Sequence, residues 1–483
     1  MTNTVSKNQV ITSLMWKLIE RGGNQSISFI VSLILARLLT PEDYGLVALI
    51  LVFTTFANIF VQSGFSTSLI QKKEVSSIDY STAFSCSLLI ASILYSMIYF
   101  AAPTIARFYD DARIILILRV FSVTLFAGAI NSVQVAIISR NMKFKVLFRT
   151  STIAVVISGL VGIFLAYNGY GVWALVSQQL INQVLIIGLL FITVNWRPSF
   201  YISKTSLREL FGFGSNILVT NLLATTFLNL RNLLIGKIFN PSILGFYNRG
   251  MQFPAAFVAN INGSIQSVML PAYSSYQDDT KAIRSMVRRS IKMSSFIIFP
   301  MMTGLAVIAE PLILVLLTEK WLPAVIYVQV YCAVYSIMPI HTANLLAIKA
   351  LGHSGTILKL EIIKKTIDVI VLVITVPFGV FMIALGELLT GLISTVINAY
   401  PNKKYLDYSI KEQWMDILPS ILLSLFMGVM VYLLKYLHLN SNVVLISLQI
   451  IIGVVIYFVF AFVLKFEEVS YLRTMLKGLK SKR

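Results

Sequence analysis

Leu35-Ala36-Arg37-Leu38-Leu39-Thr40-Pro41-Glu42-Asp43-Tyr44-Gly45 closes one long apolar run and opens the next. Two hundred positions later the chain reads Ile235-Gly236-Lys237-Ile238-Phe239-Asn240-Pro241-Ser242-Ile243-Leu244-Gly245, a degenerate echo. A cation stands at 37 and 237, proline at 41 and 241, and glycine at 45 and 245. Thr40 and Asn240 are polar residues that favour local turns, each set just before the proline that punctuates a helix. Gly64 and Gly263 fall near the ends of the runs that follow, and Gly171-Val172-Trp173-Ala174 returns loosely as Gly379-Val380-Phe381-Met382. A duplicated membrane unit explains these matches, as in many transporters.

Composition agrees. Of 483 residues, 57% are hydrophobic and 12% charged, with a mean hydropathy of +0.83. Soluble domains carry about 25% charged residues, so the excess apolar surface belongs against lipid. The formal charge of +19 raises the question of nucleic acid. The basic residues recur in short clusters between apolar runs, which is the positive-inside pattern and excludes a nucleic-acid partner. Cys86 and Cys332 sit far apart inside apolar runs, and His341, His353 and His438 show no ligand spacing, so no metal site is expected. The first residues lack a short apolar core followed by a cleavage site, and no removable signal peptide is expected.

A helix of about 20 apolar residues crosses a bilayer. Runs of that length predict about fourteen spans and an all-α integral membrane fold. Six fall approximately at 14–39, 44–69, 81–106, 114–138, 150–168 and 171–194. Six more lie at 211–237, 244–270, 293–317, 323–348, 357–376 and 379–399, and a last pair at 415–437 and 443–464. The expected organisation is a six-helix bundle over 1–200, a pseudo-symmetric six-helix bundle over 201–402, and an extra helix pair with a basic tail over 403–483. With a cytoplasmic N-terminus, about 27 cations fall inside and roughly six outside (Arg37, Arg107, Arg113, Lys237, Lys320 and Lys435). Both termini are therefore expected in the cytoplasm.

Polar residues that lipid would reject carry the functional expectation. Arg21, Gln25, Ser28 and Ser32 recur at steps of four, three and four, on one face of the first span. Asn221, Thr225, Asn229, Asn232 and Gly236 do the same in the seventh. Helix–helix hydrogen bonding is the bland explanation; a water-filled central cavity between the halves explains why the stripes are long and paired. Cations are placed at Arg21, Arg119, Arg231 and Arg249. Arginine at the bilayer centre costs about 2.5–3.5 kcal/mol, so it is kept for a partner or a cavity, although Arg119 and Arg249 lie near span ends and could snorkel. An interior with four guanidiniums suits phosphate oxygens. The eighth span, with Arg249, Gln252, Pro254, Asn260, Gly263 and Gln266, reads as a kinked helix facing water. In the eleventh, Glu361 with Lys365 and Lys364 with Asp368 are opposite charges four apart, a self-neutralising helix end or a gate or ion-coupling site. No P-loop, HExxH, CxxC or GxSxG motif occurs, which argues against an enzyme.

Further stretches accompany the opening motif: Gln62-Ser63-Gly64-Phe65, Arg140-Asn141-Met142-Lys143-Phe144, Gly169-Tyr170-Gly171-Val172-Trp173-Ala174, Leu244-Gly245-Phe246-Tyr247-Asn248-Arg249 and Glu319-Lys320-Trp321-Leu322-Pro323-Ala324. Together they resemble the polysaccharide transporter family of the multidrug/oligosaccharidyl-lipid/polysaccharide exporter superfamily, over roughly the first 400 residues. The resemblance implies a V-shaped pair of six-helix bundles rocking between inward-open and outward-open states in the bacterial plasma membrane. It implies as cargo an undecaprenyl-pyrophosphate-linked oligosaccharide, with a polysaccharide polymerase and export machinery downstream. It also implies that the last two spans can form a groove for the prenyl tail. The substrate-facing set is then Arg21, Gln25, Arg37, Arg119, Asn229, Arg231, Arg249 and Asn260, and the gate or coupling set Glu361, Lys364, Lys365 and Asp368. No cofactor is expected; a proton, a sodium ion or the membrane potential would drive transport. The rivals are a peptidoglycan-precursor (lipid II) flippase and a multidrug/cation antiporter; the latter would want an acidic or aromatic cavity.

Overall fold

A computed structural model describes residues 7–480 except 63, 277, 438 and 440; within its helices the side chains at 7–14, 17–19, 21, 213, 216, 260, 264, 267, 268, 354, 472 and 475–480 fall outside the description. Nineteen α-helices follow one another with no strand among the described residues. They are α1 Lys7–Leu38, α2 Pro41–Gln62, α3 Phe65–Gln71, α4 Ser77–Tyr109, α5 Arg113–Phe121, α6 Thr124–Arg140, α7 Phe144–Tyr167, α8 Val172–Thr193, α9 Lys204–Ile238 and α10 Pro241–Ser274. The chain continues through α11 Thr280–Val307, α12 Ala309–Leu316, α13 Val325–Ser336, α14 Met338–Ala350, α15 Ser354–Thr375, α16 Val380–Leu406, α17 Ile410–Leu433, α18 Asn442–Val463 and α19 Glu467–Lys480.

Helix occupies each of the fourteen apolar runs, and eleven stretches among the described residues are long and apolar enough to cross a membrane. The fold therefore does not fix the count at fourteen. The runs outside the eleven are those of α1, α10 and α15, the helices with the polar stripe, the asparagine-rich face and the charged pairs. Hydropathy alone undervalues helices whose polar side is in use.

Several expected spans are two helices rather than one. Between α5 and α6 the hydroxyls of Ser122 and Thr124 donate to the carbonyls of Leu118 and Phe121, both at 2.7 Å, and such back-bonding loosens a helix. Pro311 and Pro339 lack an N–H and crowd the carbonyls four residues before them, which accounts for the breaks at Ile308 and Ile337. The break after α2 passes through Gly64 at φ +91°, a backbone region that glycine enters at no steric cost. The amphipathic α19 beyond the last span was not expected.

The turn residues of the repeated motif turn out to be caps. The Thr40 hydroxyl and N–H donate to Asp43 Oδ2 at 2.7 and 3.0 Å, and the Asp43 N–H donates back to Thr40 Oγ1 at 3.2 Å. At the second copy the Ile243 N–H donates to Asn240 Oδ1 at 2.8 Å. In each case a polar cap precedes proline at the first helical position, where its missing N–H costs nothing.

Two compact units are present, Met1–Gly245 and Phe246–Arg483. The first is built on a core of Leu35, Leu39, Leu46, Ile50, Ile117 and Phe121. In it Asn24 ties α1 to α7, donating to Ser151 Oγ at 2.6 Å and accepting from Thr152 Oγ1 at 2.9 Å. Helix α9 belongs to this unit and lies along α2. Lys72, between α3 and α4, joins Glu209 at 2.8 Å and Asp79 at 2.9 Å. Glu209 first and Asp79 second hold its ammonium above the usual lysine range. The second unit centres on Tyr273, Ile283, Val287, Ile291, Ile340 and Ile417, where α11 packs along α17.

Candidate functional site

The two motif copies meet within the first unit. A Cβ on Gly45 would stand 1.7 Å from the carbonyl oxygen of Pro241, and one on Gly245 would stand 2.1 Å from that of Pro41. Gly64, in the break after α2, and Gly214 of α9 also face each other, and a Cβ on either would stand 2.6 Å from the other's Cα. Backbones this close tolerate only glycine. Beside them Arg113 pairs with Glu42 and Asp111, and Lys237 reaches Asp110 at 3.2 Å and the Phe108 ring at 4.9 Å.

The expected substrate-facing residues divide between the units. In the first, Gln25 and Arg37 are exposed, and Arg231 and Asn229 are half-buried on α9. The Asn229 amide donates to its own helix at Thr225 O, 3.0 Å. Arg119 lies over the Tyr99 ring at 4.0 Å and donates to the Tyr99 carbonyl at 3.2 Å, so cation–π attraction holds it on α4. In the second unit Arg249 is buried, donating to Gln252 Oε1 at 2.7 Å and standing 5.4 Å from the Trp321 ring. The side chains of Arg21 and Asn260 lie outside the described residues. On α1 the stripe through Gln25 and Ser28 is left uncovered while Val31 and Leu35, on another face, are buried.

The charged residues of α15 include one pair within the helix and one contact to α16. Lys364 Nζ contacts Glu361 Oε1 at 2.5 Å, three residues away, a contact not among the expected pairs four apart. Both spacings lie on one helical face, and the lysine stem selects the nearer carboxylate. Asp368 accepts from the Thr390 hydroxyl of α16 at 3.3 Å.

An apolar groove of about 450 Å³ opens among α10, α11, α17 and α18, lined by Phe257, Pro300, Gly304, Met427, Gly453 and Phe458. Gln449 joins it to a second cavity of about 400 Å³, where Lys435 and Glu310 pair at 2.8 Å. At the opposite end of the unit, Asp416 takes a two-pronged hydrogen bond from Arg288, 2.7 Å on each arm, and another from the Tyr408 hydroxyl at 2.8 Å. Lys292 lies 3.6 Å from Asp416 and 2.9 Å from Glu467 of α19. Arg284 reaches Glu412 at 2.8 Å and Asp407 at 3.2 Å. The basic run on α11 is thus largely paired with acids of α17 and α19.

Sequence reasoning passed over Glu387, an acid inside the apolar run of α16. The Tyr331 hydroxyl donates to its Oε2 at 2.7 Å and the Tyr247 hydroxyl lies 3.3 Å from the same oxygen. The signal was present, because an acid within a span is by itself a functional candidate.

Among the described residues the architecture is all-helical and divides into two compact units, with eleven stretches long and apolar enough to cross a membrane. The fold resembles that of the lipid II flippase MurJ in an inward closed conformation, with a TM-score of 0.73 at 16% identity over 93% of this chain and 98% of that one. It also resembles an inward-facing multidrug resistance MATE family transporter, with a TM-score of 0.59 at 15% identity over 79% of this chain and 94% of that one. Residues 34–326 match the family described as polysaccharide biosynthesis protein, and the chain belongs to that family. Teichuronic acid biosynthesis protein TuaB of Bacillus subtilis is 24% identical over 325 residues, 66% of each chain. Succinoglycan biosynthesis transport protein ExoT of Rhizobium meliloti is 22% identical over 321 residues, 66% of this chain and 65% of that one. Both matches thus span about two thirds of the relative. Lipopolysaccharide biosynthesis protein WzxC of Escherichia coli is 21% identical over 436 residues, 88% of each chain. The chain is thus a multi-pass membrane protein of the polysaccharide biosynthesis protein family.

Proposed function

We propose that the protein is a flippase, not an enzyme, that carries undecaprenyl-pyrophosphate-linked oligosaccharide repeat units from the cytoplasmic to the outer face of the bacterial plasma membrane. The observation that carries this reading is the apolar groove beside α17 and α18, together with relatives named for teichuronic acid, succinoglycan and lipopolysaccharide synthesis. A groove of aliphatic and aromatic side chains holds a hydrocarbon tail while the head group travels elsewhere.

The exposed Gln25 and Arg37 and the half-buried Arg231, with Arg21, offset the desolvation of the diphosphate. Arg249, buried against Gln252 and Trp321, supports the shape of α10. An anion moving out of a negative cytoplasm gains about 2.3 kcal/mol per charge per 100 mV, so the potential assists export and the return of the emptied carrier is the coupled step. Asp368, with Glu361, Lys364 and Lys365 on the same helix, is assigned to that coupling. Both termini are placed in the cytoplasm, and polymerase and export machinery act downstream. The lipid II reading rests on fold likeness alone, whereas sequence similarity runs to polysaccharide proteins.

The test is deletion of the gene, extraction of lipid-linked intermediates, and an impermeant sugar-modifying reagent to determine their sidedness. Accumulation on the cytoplasmic face, reversed by the intact gene, is expected. Intermediates that still reach the outer face while only polymer length changes would overturn the reading in favour of an assembly role.

A further inference from the structure

The geometry points to a binding surface for the uncharged, hydroxyl-bearing saccharide of the cargo on an amide-rich stripe of the first unit; the assignment rests on the flippase reading above. The stripe is carried by three helices that pack on one another, α2, α6 and α8. On α2, Thr55, Asn58 and Gln62 recur at steps of three and four; Thr55 and Gln62 are exposed and Asn58 is half-buried. On α6 the half-buried positions Asn131, Val135 and Ser139 recur at steps of four. On α8, Gln179 and Gln183 stand four apart, both half-buried. Two contacts join these faces into one surface. Asn58 and Gln62 lie over Gly128 of α6, where a Cβ would stand 2.5 Å from Asn58 Oδ1 and 2.9 Å from Gln62 Nε2. One turn on, the Asn131 amide donates to Gln183 Oε1 of α8 at 3.0 Å.

Composition sets what this surface can hold. No charged residue occurs on α2 after Asp43, on α6 before Arg140 or anywhere on α8. All three helices belong to stretches apolar enough to cross a membrane, and lipid rejects an amide edge left open there. Pairing between helices is the ordinary use of amides in a span, yet it accounts for little here. Among the side chains of the stripe, only the Asn131–Gln183 bond crosses from helix to helix. Asn58 and Gln62 bond within α2, at 3.1 and 3.4 Å. The Asn131 Oδ1 atom is buried without a partner, and Gln179 makes no hydrogen bond among the described residues. The stripe therefore retains both donors and acceptors.

Of the three parts of a lipid-linked oligosaccharide, the sugar answers this set. A carboxamide presents N–H donors and a carbonyl acceptor in one plane, and each sugar hydroxyl presents one donor and two lone pairs, so neighbouring ring hydroxyls meet an amide at both ends. Ionised phosphate oxygens only accept and are drawn to cations, which the stripe lacks. Hydrocarbon does neither. Selection follows from the same chemistry, because a surface built to bond hydroxyls leaves its own polar groups unpaired when the cargo has none. Gly128 belongs to the device: a side chain there would push Asn58 and Gln62 off α6. The residues assigned above to the diphosphate stand on other helices of the same unit, α1 and α9, so the amides can be altered while those cations stay in place.

The experiment measures two affinities of the purified full chain in lipid nanodiscs by thermophoresis. One probe is the lipid-linked saccharide extracted from the protein's own host cells; the other is undecaprenyl diphosphate, which carries no sugar. Asn131→Leu and Gln179→Leu are each expected to weaken binding of the first about tenfold, the scale of one lost hydrogen bond, and to leave the second unchanged. Gln134→Met, on α6 but fully buried, is the control and should change neither. Thermal unfolding shows that each variant is folded. Gln179→Leu breaks no bond of the folded chain, so it carries the test should Asn131→Leu unfold. Equal weakening of both probes, or an unchanged affinity for the saccharide in both variants, would overturn the proposal. The flippase reading is judged separately, by the sidedness of the same lipid in cells, so either idea can fail while the other stands.

Discussion

Gly45 and Pro241 lie so close that no side-chain carbon fits between them, although they are almost two hundred residues apart. The contact is reciprocated by Gly245 and Pro41, so each motif copy is the other's packing partner. Alanine at either glycine must push two backbones apart, and overpacking of this kind costs about 1–3 kcal/mol or more. Gly45→Ala and Gly245→Ala are each expected to lower the thermal midpoint in detergent and to reduce surface polysaccharide. Gly263→Ala, where a Cβ meets nothing within 4 Å, is the matched control and should leave both unchanged. Equal midpoints for all three variants would refute the packing argument.

Filling the groove should stop transport without unfolding the protein. Gly304 lines it, and a Cβ there would meet only the tip of Met427, at 4.0 Å. Gly304→Phe is expected to retain the wild-type thermal midpoint while lipid-linked intermediates accumulate on the cytoplasmic face. Normal polysaccharide output from this variant would show that the groove carries no tail.

Asp416 is a buried acceptor for Arg288 and Tyr408. Asp416→Ala leaves that guanidinium and hydroxyl without their acceptor. Full burial would make the cost about 3–5 kcal/mol, but Arg288 is 48% exposed, so about 1–3 kcal/mol is the expected loss. Denaturation of Asp416→Ala, Arg288→Ala and the double variant measures the coupling. Additive losses would mean that the pair contributes nothing of its own.

Docking of α19 should weaken in acid. Hydrogen bonding to Lys292 holds the Glu467 carboxyl below the usual range. A group whose folded value is depressed contributes stability above its unfolded value, about 4.3 for glutamate, and that contribution fades as pH falls through the lower folded value. Amide exchange in α19, corrected for intrinsic rates, is expected to quicken below about pH 4 relative to pH 7. Glu467→Gln should show the weaker protection at both values, and a pH-independent wild type would sink the assignment.

Sequence reading did best where one physical signal dominates. Apolar run length placed the helices, and the Pro-to-Gly spacing exposed the duplicated motif before its two copies could be seen in contact. It did less well where the outcome depends on partners distant in sequence. Hydropathy registers Ser122, Thr124, Pro311 and Pro339 as tolerated residues, not as breaks, because it does not sense the backbone bonds they remove or compete for. The Lys364–Glu361 contact was not anticipated because spacings of three and four share one helical face. Glu387 was missed because the arginines drew attention to phosphate, while the tyrosines that single it out sit on two other helices.

The Gly–Pro contact also bears on how such a chain can diversify. A carrier that meets new saccharides can alter cargo-facing side chains one at a time, but here a change in either copy is felt at once by its twin. Drift in the two motif copies is therefore coupled at this point: a larger residue at 45 demands an answering backbone shift at 241, and the reverse holds for 245 and 41. Selection for suppressors of Gly45→Ala should return second-site changes around Pro241, so that one motif copy is repaired from the other.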